Sequence, residues 1–110
     1  MKPKLPDPLL MQIEKEGLPM PDTEARFHPT RKWRCDYLWR WRKLVVEKEG
    51  MFGKFGHVGG HRSVKGFLDN MEKYNELAFH GYYLLRYTPQ QVKNGEAIQG
   101  IKRFLLNNGK

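Results

Sequence analysis

The chain has 110 residues, 20 Lys and Arg against 12 Asp and Glu, a formal charge of +8 and a pI near 9.7. A hydrophobic fraction of 39%, with six Phe, five Tyr and three Trp, argues against wholesale disorder and for a single domain with a real core. The lone cysteine, Cys35, excludes an intrachain disulfide and a cysteine-based zinc cluster, and no apolar run approaches the roughly 20 residues of a membrane span.

Residues 1–23 hold Pro3, Pro6, Pro8, Pro19 and Pro21 and show no signal-peptide apolar region. They read as an extended or loosely packed arm, with room for a short helix from Pro8 to Glu16 stopped by Gly17. The remaining chain, 24–110, reads as the domain proper. Trp33, Cys35, Tyr37 and Trp39 alternate with Arg34, Asp36, Leu38 and Arg40, a period of two that predicts a strand. Leu44, Val45 and Val46, ending in Glu47-Lys48-Glu49-Gly50, predict a second, more buried strand, and the intervening Arg40 to Lys43 is short enough for a hairpin.

Residues 50–63, GMFGKFGHVGGHRS, are glycine-rich and predict a loop carrying Lys54, His57, His61 and Arg62. Val64, Phe67, Leu68, Met71, Tyr74, Leu77 and Ala78 then recur at spacings of three and four. They predict an amphipathic helix with Ser63 as N-cap, Gly81 as stop and Lys73 on its polar face. Tyr82 to Tyr87 predicts a third strand, and Thr88-Pro89-Gln90-Gln91 a capping box. Ala97, Ile98, Ile101, Phe104 and Leu105 predict a final amphipathic helix. Strand, strand, helix, strand, helix makes the fold class α/β or α+β.

Asp36 closes the first strand pattern, and Glu47 and Glu49 close the second. Residues two apart on a strand share a face, so Glu47 and Glu49 point together, and a hairpin can bring Asp36 across from them. Three converging carboxylates repel each other, and a hard divalent cation such as Mg²⁺ or Mn²⁺ relieves that repulsion. Such an ion activates water and stabilises charge on a phosphate. The alternative is a set of solvated strand-end acids paired with Arg34, Arg42 or Lys43.

Arg31-Lys32-Trp33-Arg34-Cys35-Asp36-Tyr37, Lys43-Leu44-Val45-Val46-Glu47-Lys48-Glu49-Gly50, Gly59-Gly60-His61, Lys73-Tyr74-Asn75 and Leu84-Leu85-Arg86-Tyr87-Thr88-Pro89, taken in order, resemble a small phage-type endonuclease. The group is the PD-(D/E)xK superfamily, near its very-short-patch-repair-like branch, and the likeness runs from about Phe27 to Val92. The resemblance implies a restriction-endonuclease-like core, a central mixed sheet flanked by helices. It also implies metal-dependent hydrolysis of DNA phosphodiesters in phage recombination or DNA processing, within a host cytoplasm. By position, Asp36 matches the metal-binding Asp and Glu47 the acid of the motif. Glu49 falls where the motif carries Lys, a departure that leaves Glu49 as base or further ligand and makes Lys73 and His61 the candidates for the missing cation. Glu24 matches an acid that some members carry on an N-terminal helix.

Arg31, Lys32, Arg34, Arg40, Arg42, Lys54 and Arg62 supply a phosphate-attracting field, and Trp41 among them is placed to stack on a base or to cover the rim. Arg86 reads as an ion-pair partner for Asp69 or Glu72. His80 reads as a helix-end residue, and Cys35 as a buried apolar side chain. DNA is therefore the expected partner and a membrane is not. A homodimer would use the C-terminal helix. A non-catalytic nucleic-acid-binding module on the same basic face stands as the alternative, and a module for an acidic protein partner as a third.

Overall fold

The computed structural model describes the backbone of residues 6–50 and 60–107, and the side chains of all of these except 60–63. Helix α1 (Pro8–Lys15) begins where Asp7 Oδ1 accepts the Leu9 and Leu10 N–H groups at 2.9 and 3.1 Å, with Pro8 in the first turn where its missing N–H costs nothing. It ends at Gly17, whose φ of +71° an L side chain rarely adopts.

The expected loose arm is instead part of the core. Leu9 and Ile13 are completely buried, Tyr37 donates its hydroxyl hydrogen bond to Asp7 Oδ2 at 2.8 Å, and Trp39 Nε1 donates to the Pro19 carbonyl at 2.7 Å. The sequence pattern missed this because Leu9, Leu10, Met11 and Ile13 fall within eight residues, too short a run for periodicity to say which of them is buried.

Four strands follow: β1 (Asp22–Arg26), β2 (Arg34–Trp39), β3 (Leu44–Lys48) and β4 (Tyr83–Tyr87). They form one mixed sheet in the order β1-β2-β3-β4. β1, β2 and β3 are antiparallel neighbours, and β4 lies parallel to β3. β2 and β3 make the expected hairpin through a single 3₁₀ turn (Arg40–Arg42), and Lys43 turns the chain with a φ of +54°. β1 has no apolar alternation, only Ala25 buried in DTEAR, so pairing with β2 rather than propensity makes it a strand.

Helix α2 (Gly60–Phe79) makes the crossover from β3 to β4. It starts before the expected Ser63 cap, so His61 and Arg62 belong to its first turn rather than to a loop. It stops at Gly81 (φ +82°), where Gly81 N–H bonds the Ala78 carbonyl and Tyr82 N–H the Leu77 carbonyl. Helix α3 (Pro89–Lys93) carries the predicted capping box: Gln91 N–H donates to Thr88 Oγ1 at 3.1 Å, and Thr88 N–H to Gln91 Oε1 at 3.0 Å. Helix α4 (Glu96–Leu106) packs so closely that a Cβ on Gly100 would lie 1.9 Å from Tyr87 Oη.

The result is a single α+β domain with a mixed sheet and helices on both faces. One face joins Tyr37, Trp39, Leu44 and Val46 to Leu9, Ile13, Val92, Ala97, Ile98, Ile101 and Leu105 from α1, α3 and α4. The apolar face of α4, expected to serve a dimer, is thus spent inside the core. The other face joins Ala25, Cys35, Leu38 and Val45 to Leu77 of α2.

Candidate active site

The β2–β3 ladder runs through Tyr37↔Val46, Leu38↔Val45 and Trp39↔Leu44. Beyond it, two carboxylates take over the backbone partners that the ladder no longer supplies. Glu47 Oε2 accepts the Asp36 N–H at 2.9 Å, and Asp36 Oδ2 accepts the Lys48 N–H at 2.8 Å. Asp36 and Glu47 are thereby crossed at the junction of the two strands, as the hairpin predicted.

Strict alternation also breaks at this point. Cys35 packs with Leu38 and Val45, not with Tyr37 and Trp39. In β1, Thr23 pairs with Tyr37 and Ala25 with Cys35, while Glu24 between them has a φ of +49°. A non-glycine residue in that region is held there by its surroundings, and irregularities of this kind re-aim side chains in strands. Glu24 therefore stands across from Asp36 on a strand, not on the helix that the resemblance implied.

Lys73 completes the group from α2. Its Nζ lies 2.9 Å from Glu47 Oε1 and 2.6 Å from the Arg34 carbonyl. The periodicity had placed Lys73 on a polar outer face; instead it is 6% exposed, pointing at the sheet beside Leu77. Burial pushes the Glu47 carboxyl above its usual range, against the Lys73 hydrogen bond and charge and the Asp36 N–H, which pull it down. The pair is satisfied on both sides, the condition under which a buried charge is tolerated.

Glu49 shares the α2-facing side with Glu47, as its spacing predicts, but different groups hold it. The Tyr74 hydroxyl donates to Glu49 Oε2, and Arg86 Nε donates to the same oxygen at 3.0 Å. Among the described residues, Asp36, Glu47 and Glu49 do not bring three ligand oxygens within 4.8 Å of one another. Asp36 and Glu47 bring two carboxylates to one strand junction, where Glu47 Oε1 and Oε2 and Asp36 Oδ2 each accept a protein hydrogen bond. Glu49 is tied to Tyr74 and Arg86 and stands outside that set. Tyr74, missed in the sequence, carried one signal, its position next to Lys73. Burial first, and then the bond to Glu49, raises its hydroxyl pKa.

Three metal-type side chains do converge elsewhere: His28, Glu76 and His80. His28 Nδ1 accepts the N–H groups of Thr30 and Arg31 at 3.2 and 3.0 Å, so Nε2 carries the proton and donates to Glu76 Oε1 at 2.9 Å. A metal at Nε2 would require the opposite tautomer, with Nδ1–H aimed at two other N–H groups. The trio is better read as an anchor for the residue 28–31 turn. His80, placed in the sequence at the helix end, stacks edge-on to His28 and lies 3.5 Å from Glu76.

Arg31 pairs with Glu72 at 2.7 Å and lies over Trp33, and with Lys32 it lines an open depression. The Arg34 carbonyl holds Lys73, while Arg34 itself is exposed on β2. Arg40 pairs with Asp22 at 2.9 Å, and Arg42 donates to the Leu105 carbonyl at 2.8 Å between Trp41 and Phe104. Trp41 is 64% exposed. Arg86 pairs with Glu49, not with the expected Asp69 or Glu72. Lys54 and His57 lie outside the described residues, as do the side chains of His61 and Arg62.

Compared with known protein families, with curated proteins and with solved structures, the chain matches none. Among the described residues, no helix is long and apolar enough to cross a membrane.

Proposed function

We propose that the chain is a metal-dependent DNA endonuclease of the PD-(D/E)xK type, with Asp36 and Glu47 as the cation-holding pair and Lys73 in place of the motif Lys. The observation that carries this reading is the 2.9 Å contact between Lys73 and Glu47. It brings a cation from a different element to the acid whose own motif lacks one. A divalent ion at Asp36 and Glu47 would supply a Lewis acid for the scissile phosphate. Two of the three Lys73 ammonium protons are engaged by Glu47 and the Arg34 carbonyl. Among the described residues the third has no hydrogen-bond acceptor, and in this reading it orients a phosphate oxygen or the attacking water. Arg86 and Tyr74 hold Glu49 aside from the pair, which assigns Glu49 to the rim of the site. In this reading cutting is structure-selective or weakly sequence-specific.

The test is cleavage of labelled linear duplex, single-stranded, flapped and four-way-branched DNA with Mg²⁺, Mn²⁺ or EDTA. Metal-dependent cutting is expected, lost in Asp36→Ala and Glu47→Ala and reduced at least about a hundredfold in Lys73→Met, the scale of one positioned proton-transfer group.

One observation favours a second reading, a nucleic-acid-binding module without catalysis. Both Glu47 oxygens already accept protein hydrogen bonds, so the acids have a complete structural role. On that reading the wild type binds DNA with steep salt dependence, cuts none of the substrates, and Asp36→Ala leaves binding intact.

A further inference from the structure

Helix α2 follows the expectation of its sequence only in part: of the predicted apolar face, Leu77 and Tyr74 pack on the sheet side. Its continuous apolar stripe, Val64, Phe67, Leu68 and Met71, faces solvent, with Phe67 65% exposed and Phe79 extending the stripe at 77%. The side packed on the sheet carries Lys73 and Leu77 instead. An exposed stripe of large side chains at helical spacing marks an interaction surface.

The charges beside the stripe indicate what covers it. Lys65 and Glu72 are seven residues apart and so lie along one flank, while the other flank carries Asn70 and Tyr74 and no charge. In an antiparallel helix pair like flanks face each other. Lys65 of one copy then meets Glu72 of the other, and the two-fold axis repeats the contact. A parallel pair would set the charged flank against the uncharged one and gain nothing. Asp69 and Glu76 add acid to the same flank, which disfavours an anionic lipid surface, whose helices carry Lys and Arg there. The present partners, Asp69 for Lys65 at 3.3 Å and Arg31 for Glu72, are exposed ion pairs of small worth and leave both groups free to re-pair.

We infer that the outer face of α2 is a homodimer interface, in which two copies pack Val64, Phe67, Leu68 and Met71 in an antiparallel, two-fold pair fastened by Lys65–Glu72 contacts. The inference does not depend on the endonuclease reading, since none of these residues belongs to the acidic site. The Lys73 face remains turned to the sheet in both copies.

Sedimentation equilibrium over a concentration series tests it, with circular dichroism and thermal melting as controls for folding. The wild type is expected to dimerise and Leu68→Glu to be a folded monomer. Lys65→Glu and Glu72→Lys are each expected to weaken the dimer roughly tenfold, since each turns two attractive pairs repulsive. The double variant Lys65→Glu/Glu72→Lys should recover wild-type affinity, which separates pairing from misfolding. A wild type that is monomeric throughout overturns the inference. If that monomer also floats with anionic vesicles, the face belongs to a lipid surface. If Leu68→Glu lowers its melting temperature, the face is covered by this chain itself. A dimer indifferent to Leu68→Glu overturns the inference too.

Discussion

On one face of the sheet, Tyr37, Trp39, Leu44 and Val46 are sealed by three helices that contribute Leu9, Ile13, Val92, Ala97, Ile98, Ile101 and Leu105. On the other, Cys35, Leu38 and Val45 meet Leu77 and a salt bridge, and most of the apolar residues of α2 look outward. The first face carries stability. The second gives up apolar burial for a charged pair, Lys73–Glu47, beside the strand irregularity at Asp36 and Glu24. That polar pair, set where a core would be more stabilising, lies on the side where the proposed chemistry would act.

The largest expected effect lies on the sealed face. Trp39→Ala should cost about 3–5 kcal/mol in denaturant unfolding, through lost packing and the lost bond to the Pro19 carbonyl. A loss under about 1 kcal/mol would mean that the N-terminal arm is not docked.

Next comes the buried pair. Lys73→Met strands a carboxylate among apolar neighbours and should cost about 3 kcal/mol, while Lys73→Met combined with Glu47→Leu should recover most of it. A double variant as unstable as the single one would remove the ion pair from the account of this face.

A smaller effect is a pH dependence. Burial raises the folded-state pKa of Glu47 above its ordinary 4.5, so the folded protein holds that proton more tightly than the unfolded chain. The stability contributed by Glu47 is therefore fully present below 4.5 and is lost as the pH rises through the raised folded value. Melting temperatures of wild type and Glu47→Gln, compared across the acid range, should diverge in the variant's favour with rising pH and then run parallel. A constant difference would show that Lys73 and the Asp36 N–H cancel the burial effect.

The smallest effect sharpens the contrast most. Val64→Ala should change monomer stability by under about 0.5 kcal/mol when melted at high dilution, as for a surface site. A core-like cost of 1 kcal/mol or more would mean that the stripe is covered within the chain.

Much of the frame was legible because local signals name themselves. The Thr88 capping box, the Gly81 stop, the period-two run through Tyr37 and Trp39, and the apolar face of α4 each encode an element within a few residues. Asp36 and Glu47 were legible too, since a short hairpin leaves little choice about which strand ends meet. The sequence by itself determined the order from β2 onward and the neighbourhood of that acidic pair, because hydrogen-bonding period and turn chemistry are local. Only tertiary structure decided the rest. It made DTEAR a strand by pairing it with β2, buried Leu9 and Ile13 under a sheet their pattern could not reveal, and turned Lys73 rather than Met71 toward the core. Periodicity records that a helix has an apolar face, not what that face meets, and on α2 only the edge of it that carries Leu77 and Tyr74 turned inward, with Lys73 reaching a carboxylate at a strand end.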